Sequence, residues 1–112
     1  MQAFVKICDI SELEENKGYK FPLDDFIEVA VFKTKNKIYV VDNVCPHNHT
    51  PKMFNGFIKK DFIVCPVHFY EFNLKSGKAK NFLGGNLNIY ETKIENDILF
   101  VKPKESKFDF NF

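Results

Sequence analysis

At 112 residues, with 45% hydrophobic and 28% charged positions, the chain has the size of one domain and can bury about two-thirds of the surface it exposes when unfolded. Sixteen basic and fifteen acidic residues leave a net charge of +1 spread along the chain, which excludes the basic footprint of a nucleic-acid binder or of a protein held on an anionic membrane. Three cysteines are too few for a disulfide framework. The start, Gln2-Ala3-Phe4-Val5-Lys6-Ile7, has neither a basic region nor a long apolar run, and no stretch approaches spanning length, so a soluble cytoplasmic protein with no membrane span is expected.

Fourteen Phe and no Trp, many in alternating or β-branched runs, predict an all-β fold. Ala3 to Cys8 reads as a first strand with Cys8 as a small buried hydrophobe. Asp9 to Leu13 reads as a polar or short helical turn opened by an Asp or Ser cap. Tyr19 to Leu23 and Phe26 to Lys33 read as strands, and Lys37 to Asp42 pairs with the latter across a Thr34-Lys35-Asn36 turn. Gly56 to Lys59 and Phe62 to Val64 form a hairpin around Lys60-Asp61. A short strand follows near Glu71 to Leu74, then a Ser76-Gly77 turn and a loop over Asn81 to Asn86 containing Gly84-Gly85. A last hairpin joins Asn88–Ile94 to Ile98–Lys102 around Glu95-Asn96-Asp97. The tail, Lys104 to Phe112, alternates Phe with polar residues and is expected to pack on the body of the protein.

The chemistry is concentrated in Cys45-Pro46-His47 and Cys65-Pro66-Val67-His68. Seventeen residues lie between His47 and Cys65, enough for a strand, a turn and a return strand, so both pairs can meet at one end of a hairpin. Two thiolates and two imidazoles make a four-ligand metal site. A Cys2His2 zinc site has the same donors, but zinc modules usually pair like ligands at each knuckle, whereas here each knuckle is mixed. Thiolates are soft and anionic, and neutral imidazoles put less negative charge on a metal and so leave it easier to reduce.

Cys-x-His followed at this distance by Cys-x-x-His resembles the Rieske family, and the resemblance covers nearly the whole chain. Pro46 and Pro66 after each Cys, Gly56 at the loop-to-strand turn, Phe72 after the second loop and the Lys75-Ser76-Gly77 turn match it as well. The resemblance implies small antiparallel sheets in a sandwich or open barrel, one domain over residues 1–112, and a two-loop cluster-binding subdomain at about 43–72. It implies a [2Fe-2S] cluster with Cys45 and Cys65 on the inner iron and His47 and His68 on the outer one.

Departures from the family are informative. High-potential members carry two further Cys that form a disulfide, where Thr50 and Val67 stand here. They also place hydroxyl donors at positions occupied by Tyr70 and Phe72. Fewer donors imply a midpoint near the low end of the Rieske range, about −150 mV. Phe69 stands where the family usually has Gly, so that loop must avoid a positive φ or accept strain. Lys52 replaces a shielding Leu, with Met53 beside it to fill the role. His49, the third histidine, is read as a loop residue because four ligands already complete the site. The lysine runs at Lys33–Lys37 and Lys59–Lys60 are read as solvated hairpin tips.

With one unassigned His and no nucleophile–base pair, there is no second metal site and no catalytic residue, so an enzyme is not expected. The resemblance implies a soluble Rieske-type ferredoxin, a one-electron carrier between a reductase and an acceptor such as an oxygenase. The alternative is a non-catalytic electron-transfer subunit of a larger enzyme, resembling the small subunit of nitrite reductase.

Overall fold

The computed structural model describes residues 4–35, 37–46, 50–67, 69–80 and 86–103. Among these residues nine strands form three antiparallel three-stranded sheets: β1 (Val5–Asp9), β9 (Ile98–Val101) and β8 (Thr92–Glu95); β2 (Gly18–Pro22), β3 (Glu28–Thr34) and β4 (Lys37–Asp42); and β5 (Phe57–Lys59), β6 (Phe62–Val64) and β7 (Glu71–Asn73). Two 3-10 turns, Ile10–Glu12 and Met53–Asn55, complete the described elements. Among the described residues no helix is long and apolar enough to cross a membrane.

β3 sits at the centre, and its sequence explains why. Val29, Ala30, Val31 and Phe32 are all buried, so both faces of the strand are covered. Alternation sends them two ways: Ala30 and Phe32 join a first core with Val41, Met53, Ile63 and Phe72, while Val29 and Val31 join a second with Cys8, Val40, Leu99 and Val101. The β2–β3–β4 sheet therefore separates two cores, one against β5–β7 and one against β1, β8 and β9. Both cysteines of the predicted metal site, Cys45 and Cys65, lie in the first core.

Lys37–Asp42 and Phe62–Val64 have the expected bounds, and most other strands differ by a residue or two. Two expectations are corrected. Thr34 pairs directly with Lys37, so that hairpin loop has two residues rather than three; Lys35 adopts φ 51, the left-handed conformation such tight turns require, and Asn36 lies outside the described residues. The predicted strand Asn88–Ile94 is divided. Tyr90 N–H donates to Val40 O and Ile89 bridges Val41, so its first part runs beside β4, and only Thr92–Glu95 pairs with β9. The physical cause is Tyr90, whose ring lies in the second core while its hydroxyl donates to Asp42. Ala3, the Asn81–Gly85 stretch with Gly84-Gly85 and the Lys104–Phe112 tail lie outside the described residues.

Glycines are needed where chains approach closely. A Cβ on Gly56 would lie 2.1 Å from Val64 O, so only glycine lets the Met53–Asn55 turn reach β6 immediately before Cys65. Gly77 has φ 76, and a Cβ there would lie 2.0 Å from Leu87 O.

Cys8 is buried, as its strand position suggests, and burial followed by the nearby Glu12 and Asp9 carboxylates pushes its thiol up to about 11 from 9.0. The folded chain thus keeps a proton that the unfolded chain loses above pH 9. This contribution to stability is complete below pH 9 and is lost as pH rises towards 11. Tyr90 is also raised, by burial and then by its hydrogen bond to Asp42, but its unfolded-state titration begins near 10.0. Between pH 9 and 10 the decline in thermal midpoint is therefore expected to belong mainly to Cys8, and Cys8→Ala should flatten it; an unchanged slope would contradict this account.

Candidate metal centre

β4 and β6 each run straight into a cysteine. Cys45 follows Asp42 by three residues and Cys65 follows Val64 directly, and both side chains are fully buried in the first core and joined in no disulfide. The two loops close alike: Cys45 N–H donates to Thr50 O at 3.1 Å, and Cys65 N–H donates to Tyr70 O at 2.8 Å. In each case the bond spans five residues and encloses the predicted histidine position. Pro46 and Pro66 suit the second place in each loop because proline has no N–H to compete for the closing acceptor. His47, His49 and His68 lie outside the described residues; among those described, no three His, Cys, Asp or Glu side chains converge on one point.

The sequence reading missed the residue that anchors the first loop. Asn43 is fully buried, two positions before Cys45, and ties four segments together. Its Nδ2 donates to Glu28 Oε1 (2.7 Å) and Pro51 O (3.1 Å), while its Oδ1 accepts from Phe54 N–H (2.8 Å). Its own N–H donates to Glu28 O, and its carbonyl accepts from Met53 N–H, both at 3.0 Å. The loop is thereby held at both ends, by Asn43 before Cys45 and by Pro51 and Met53 after Thr50. The available signal was an Asn ending a β-branched strand, where an amide side chain can satisfy backbone groups that the sheet no longer pairs.

Met53 is fully buried in the same core as the cysteines, whereas Lys52 is exposed, so Met53 takes the interior place beside the first loop. Phe72 is likewise fully buried there. Phe69 does not avoid the left-handed region. It has φ 55 and remains 67% exposed. A non-glycine residue there costs about 1–2 kcal/mol, partly offset by the entropy glycine would lose. Phe69→Gly is expected to raise stability by up to about 1 kcal/mol in thermal or denaturant unfolding; a loss of stability would mean that the ring contributes packing.

The described part of the site is a pair of water-shielded thiols at the heads of two matched loops. A family model described as a Rieske-like [2Fe-2S] domain matches residues 3–102. The ferredoxin component of naphthalene 1,2-dioxygenase/salicylate 5-hydroxylase systems of Ralstonia sp. is 34% identical over 76 residues, 67% of this chain and 72% of that protein. Among solved structures, a ferredoxin of Sphingomonas yanoikuyae B1 superposes with a TM-score of 0.79 at 20% identity, covering 91% of this chain and 100% of its own. The nitrite reductase [NAD(P)H] small subunit of Erwinia carotovora superposes with a TM-score of 0.75 at 17% identity, covering 93% and 84%. At these identities the two structures establish a shared fold.

Proposed function

The chain belongs to the Rieske-like [2Fe-2S] domain family, and on that premise we propose that residues 1–112 form one domain that carries single electrons between a reductase and an oxidising partner such as an oxygenase. In this reading Cys45 and Cys65 hold the inner iron and His47 and His68 the outer one, within a cluster-binding part at about residues 43–72. The observation that carries it is the pair of cysteines, fully buried in one apolar core and joined in no disulfide, each at the head of a loop closed by the same backbone hydrogen bond. Soft donors in surroundings that exclude water fit sulfide-bridged iron.

When bound, the cluster supplies a one-electron couple centred on its histidine-held iron. The chain's own residues hold and insulate it. Met53, Ile63 and Phe72 fill the core around the thiols, and the Cys45–Thr50 and Cys65–Tyr70 bonds set where each thiol stands. Phe72 has no hydroxyl to offer a sulfur, and Thr50 and Val67 form no bracing disulfide, which supports a midpoint near the low end of the family range, about −150 mV. The relative from Ralstonia is the ferredoxin component of oxygenase systems, and likeness to it supports a partner of that kind here. The protein acts as a non-catalytic carrier, in the cytoplasm.

Purified protein should be brown, contain iron and acid-labile sulfide in equal amounts, and bleach on dithionite reduction. Colourless protein with stoichiometric zinc would end this reading. A second reading, an electron-transfer subunit fixed within a larger enzyme, draws on the fold shared with the nitrite reductase small subunit. Gel filtration in cell extract separates the two: a carrier elutes near its own 13.1 kDa, a subunit with its enzyme.

A further inference from the structure

The exposed large hydrophobic side chains are not scattered. Of the six among the described residues, Phe26, Ile27, Val44, Phe57 and Phe69 lie at the end of the sheets where the two cysteine loops begin, and only Ile94 lies elsewhere, on β8. Strand register places them. Phe57 pairs with Val64, next to Cys65, and Phe69 lies inside the second loop. Pro22 pairs with Glu28, and Asn43 N–H donates to Glu28 O, so the β2–β3 turn opens beside Val44 and Cys45.

Phe26 is the extreme case, an aromatic 92% exposed at the tip of that turn. The turn that presents it is firmly built. Asp24 Oδ1 accepts from both Phe26 N–H and Ile27 N–H at 2.7 Å, and Ile27 O accepts from Leu23 N–H at 2.8 Å. Leu23 is buried beneath it in the second core. An aromatic ring held in water by an ordered turn loses little entropy when a partner covers it.

Within the turn itself the charge has one sign. From Phe21 to Phe32 the chain carries Asp24, Asp25 and Glu28 and no lysine. Neither Asp24 nor Asp25 takes part in an ion pair among the described residues. At the far ends of the hairpins both signs meet instead: Lys35, Lys37, Lys60, Glu15 and Asp61 line one pocket between the β3–β4 and β5–β6 tips, and an exposed Lys52 follows the first cysteine loop.

We propose that the β2–β3 turn is the docking anchor for a redox partner whose electron-exchange site is apolar and rimmed by lysine or arginine, with Phe26 entering the apolar part and Asp25 facing the rim. The inference rests on the electron-carrier reading above. The apolar ring supplies desolvated area at the centre of the contact, and the carboxylates steer approach and orientation.

Cytochrome c, with an exposed haem edge ringed by lysines, is a probe of this chemistry, and ferricyanide is a small oxidant that needs no docking. The reduced holoprotein is expected to lose one electron per haem to ferricytochrome c, with a rate constant that falls as salt is raised. Phe26→Ser should lower that rate constant about tenfold and weaken calorimetric binding between the two oxidised proteins by a similar factor. Asp25→Lys should lower the rate several-fold at low salt and converge on the wild type at high salt. Oxidation by ferricyanide, a trianion and so compared at high salt where its charge is screened, should stay within about twofold in both variants, whose visible spectra confirm an intact site.

Rates and affinities for cytochrome c within twofold of wild type in both variants would overturn the proposal, as would a wild-type rate indifferent to salt. A dimer in gel filtration that Phe26→Ser dissociates would assign the face to a second copy and overturn it too. A wild-type protein without a visible cluster would instead sink the electron-carrier reading, and this inference with it.

Discussion

Replacing either Cys45 or Cys65 by Ser is expected to abolish cluster assembly, leaving colourless protein with less than about a tenth of the wild-type iron and sulfide. A serine hydroxyl is nearly isosteric, so packing of the first core changes little; what changes is the donor, because a hydroxyl is hard and stays protonated where a thiol becomes a thiolate. Both positions are fully buried, so water cannot readily supply a replacement ligand. Cys8→Ser is the informative control. Cys8 lies in the second core, on the other side of the central sheet, and its substitution should cost stability without removing iron. Iron and sulfide analysis of the three variants decides the matter. Full iron in Cys45→Ser or Cys65→Ser would overturn the ligand assignment.

Asn43→Ala should destabilise the protein by about 2–4 kcal/mol and speed loss of the cluster, although Asn43 is not itself a proposed ligand. The substitution leaves the Glu28 carboxylate, the Pro51 carbonyl and the Phe54 N–H each without the partner that Asn43 supplies. The backbone bonds of residue 43 to Glu28 and Met53 remain, so the start of the Cys45 loop is loosened rather than released. Asn43→Asp is a sharper probe because it retains an acceptor for Phe54 N–H but sets a carboxylate against Glu28 Oε1, where the amide now donates at 2.7 Å. One proton restores that hydrogen bond, so the folded variant binds a proton more readily than the unfolded chain. Its stability should therefore rise as pH falls from neutrality towards 5. Thermal midpoints over that range, together with the rate of bleaching in chelator, test both variants. A stability of Asn43→Ala within about 0.5 kcal/mol of wild type would show that water replaces the amide.

Much of the architecture was legible because strands obey a local rule. The β-branched and aromatic runs in Lys37–Asp42 and Phe62–Val64 need no knowledge of the rest of the chain, and both strands appear with the predicted bounds. Turns announced by Asn96-Asp97 and by Gly77 are legible for the same reason, since both require positive φ and the residue types disclose it. The strand predicted over Asn88–Ile94 shows where locality ends. Its apolar spacing is that of one strand, yet Tyr90 and its bond to Asp42 draw the first half across to β4.

The candidate site divides along the same line. Cys45-Pro46-His47 and Cys65-Pro66-Val67-His68 disclose by residue type and spacing which donors are available, because metal chemistry is selective about sulfur and nitrogen whatever the fold. The consequence of Phe69 was also legible as a choice between avoiding a positive φ and accepting strain; the loop geometry decided for strain. Asn43 was silent in the sequence. Its importance comes from Glu28, Pro51 and Phe54, which lie up to 15 residues away and become its partners only when the central sheet, the first loop and the second 3-10 turn are assembled. Charge followed suit: sixteen basic and fifteen acidic residues are mixed along the chain, and only antiparallel pairing brings the lysine-free turn that holds Asp24 and Asp25 to the start of the Cys45 loop. Donor identity and strand periodicity are properties of neighbouring residues, so the sequence by itself determined them; burial, hydrogen-bond closure and the grouping of surface charge depend on residues distant in sequence, so only the tertiary structure decided them.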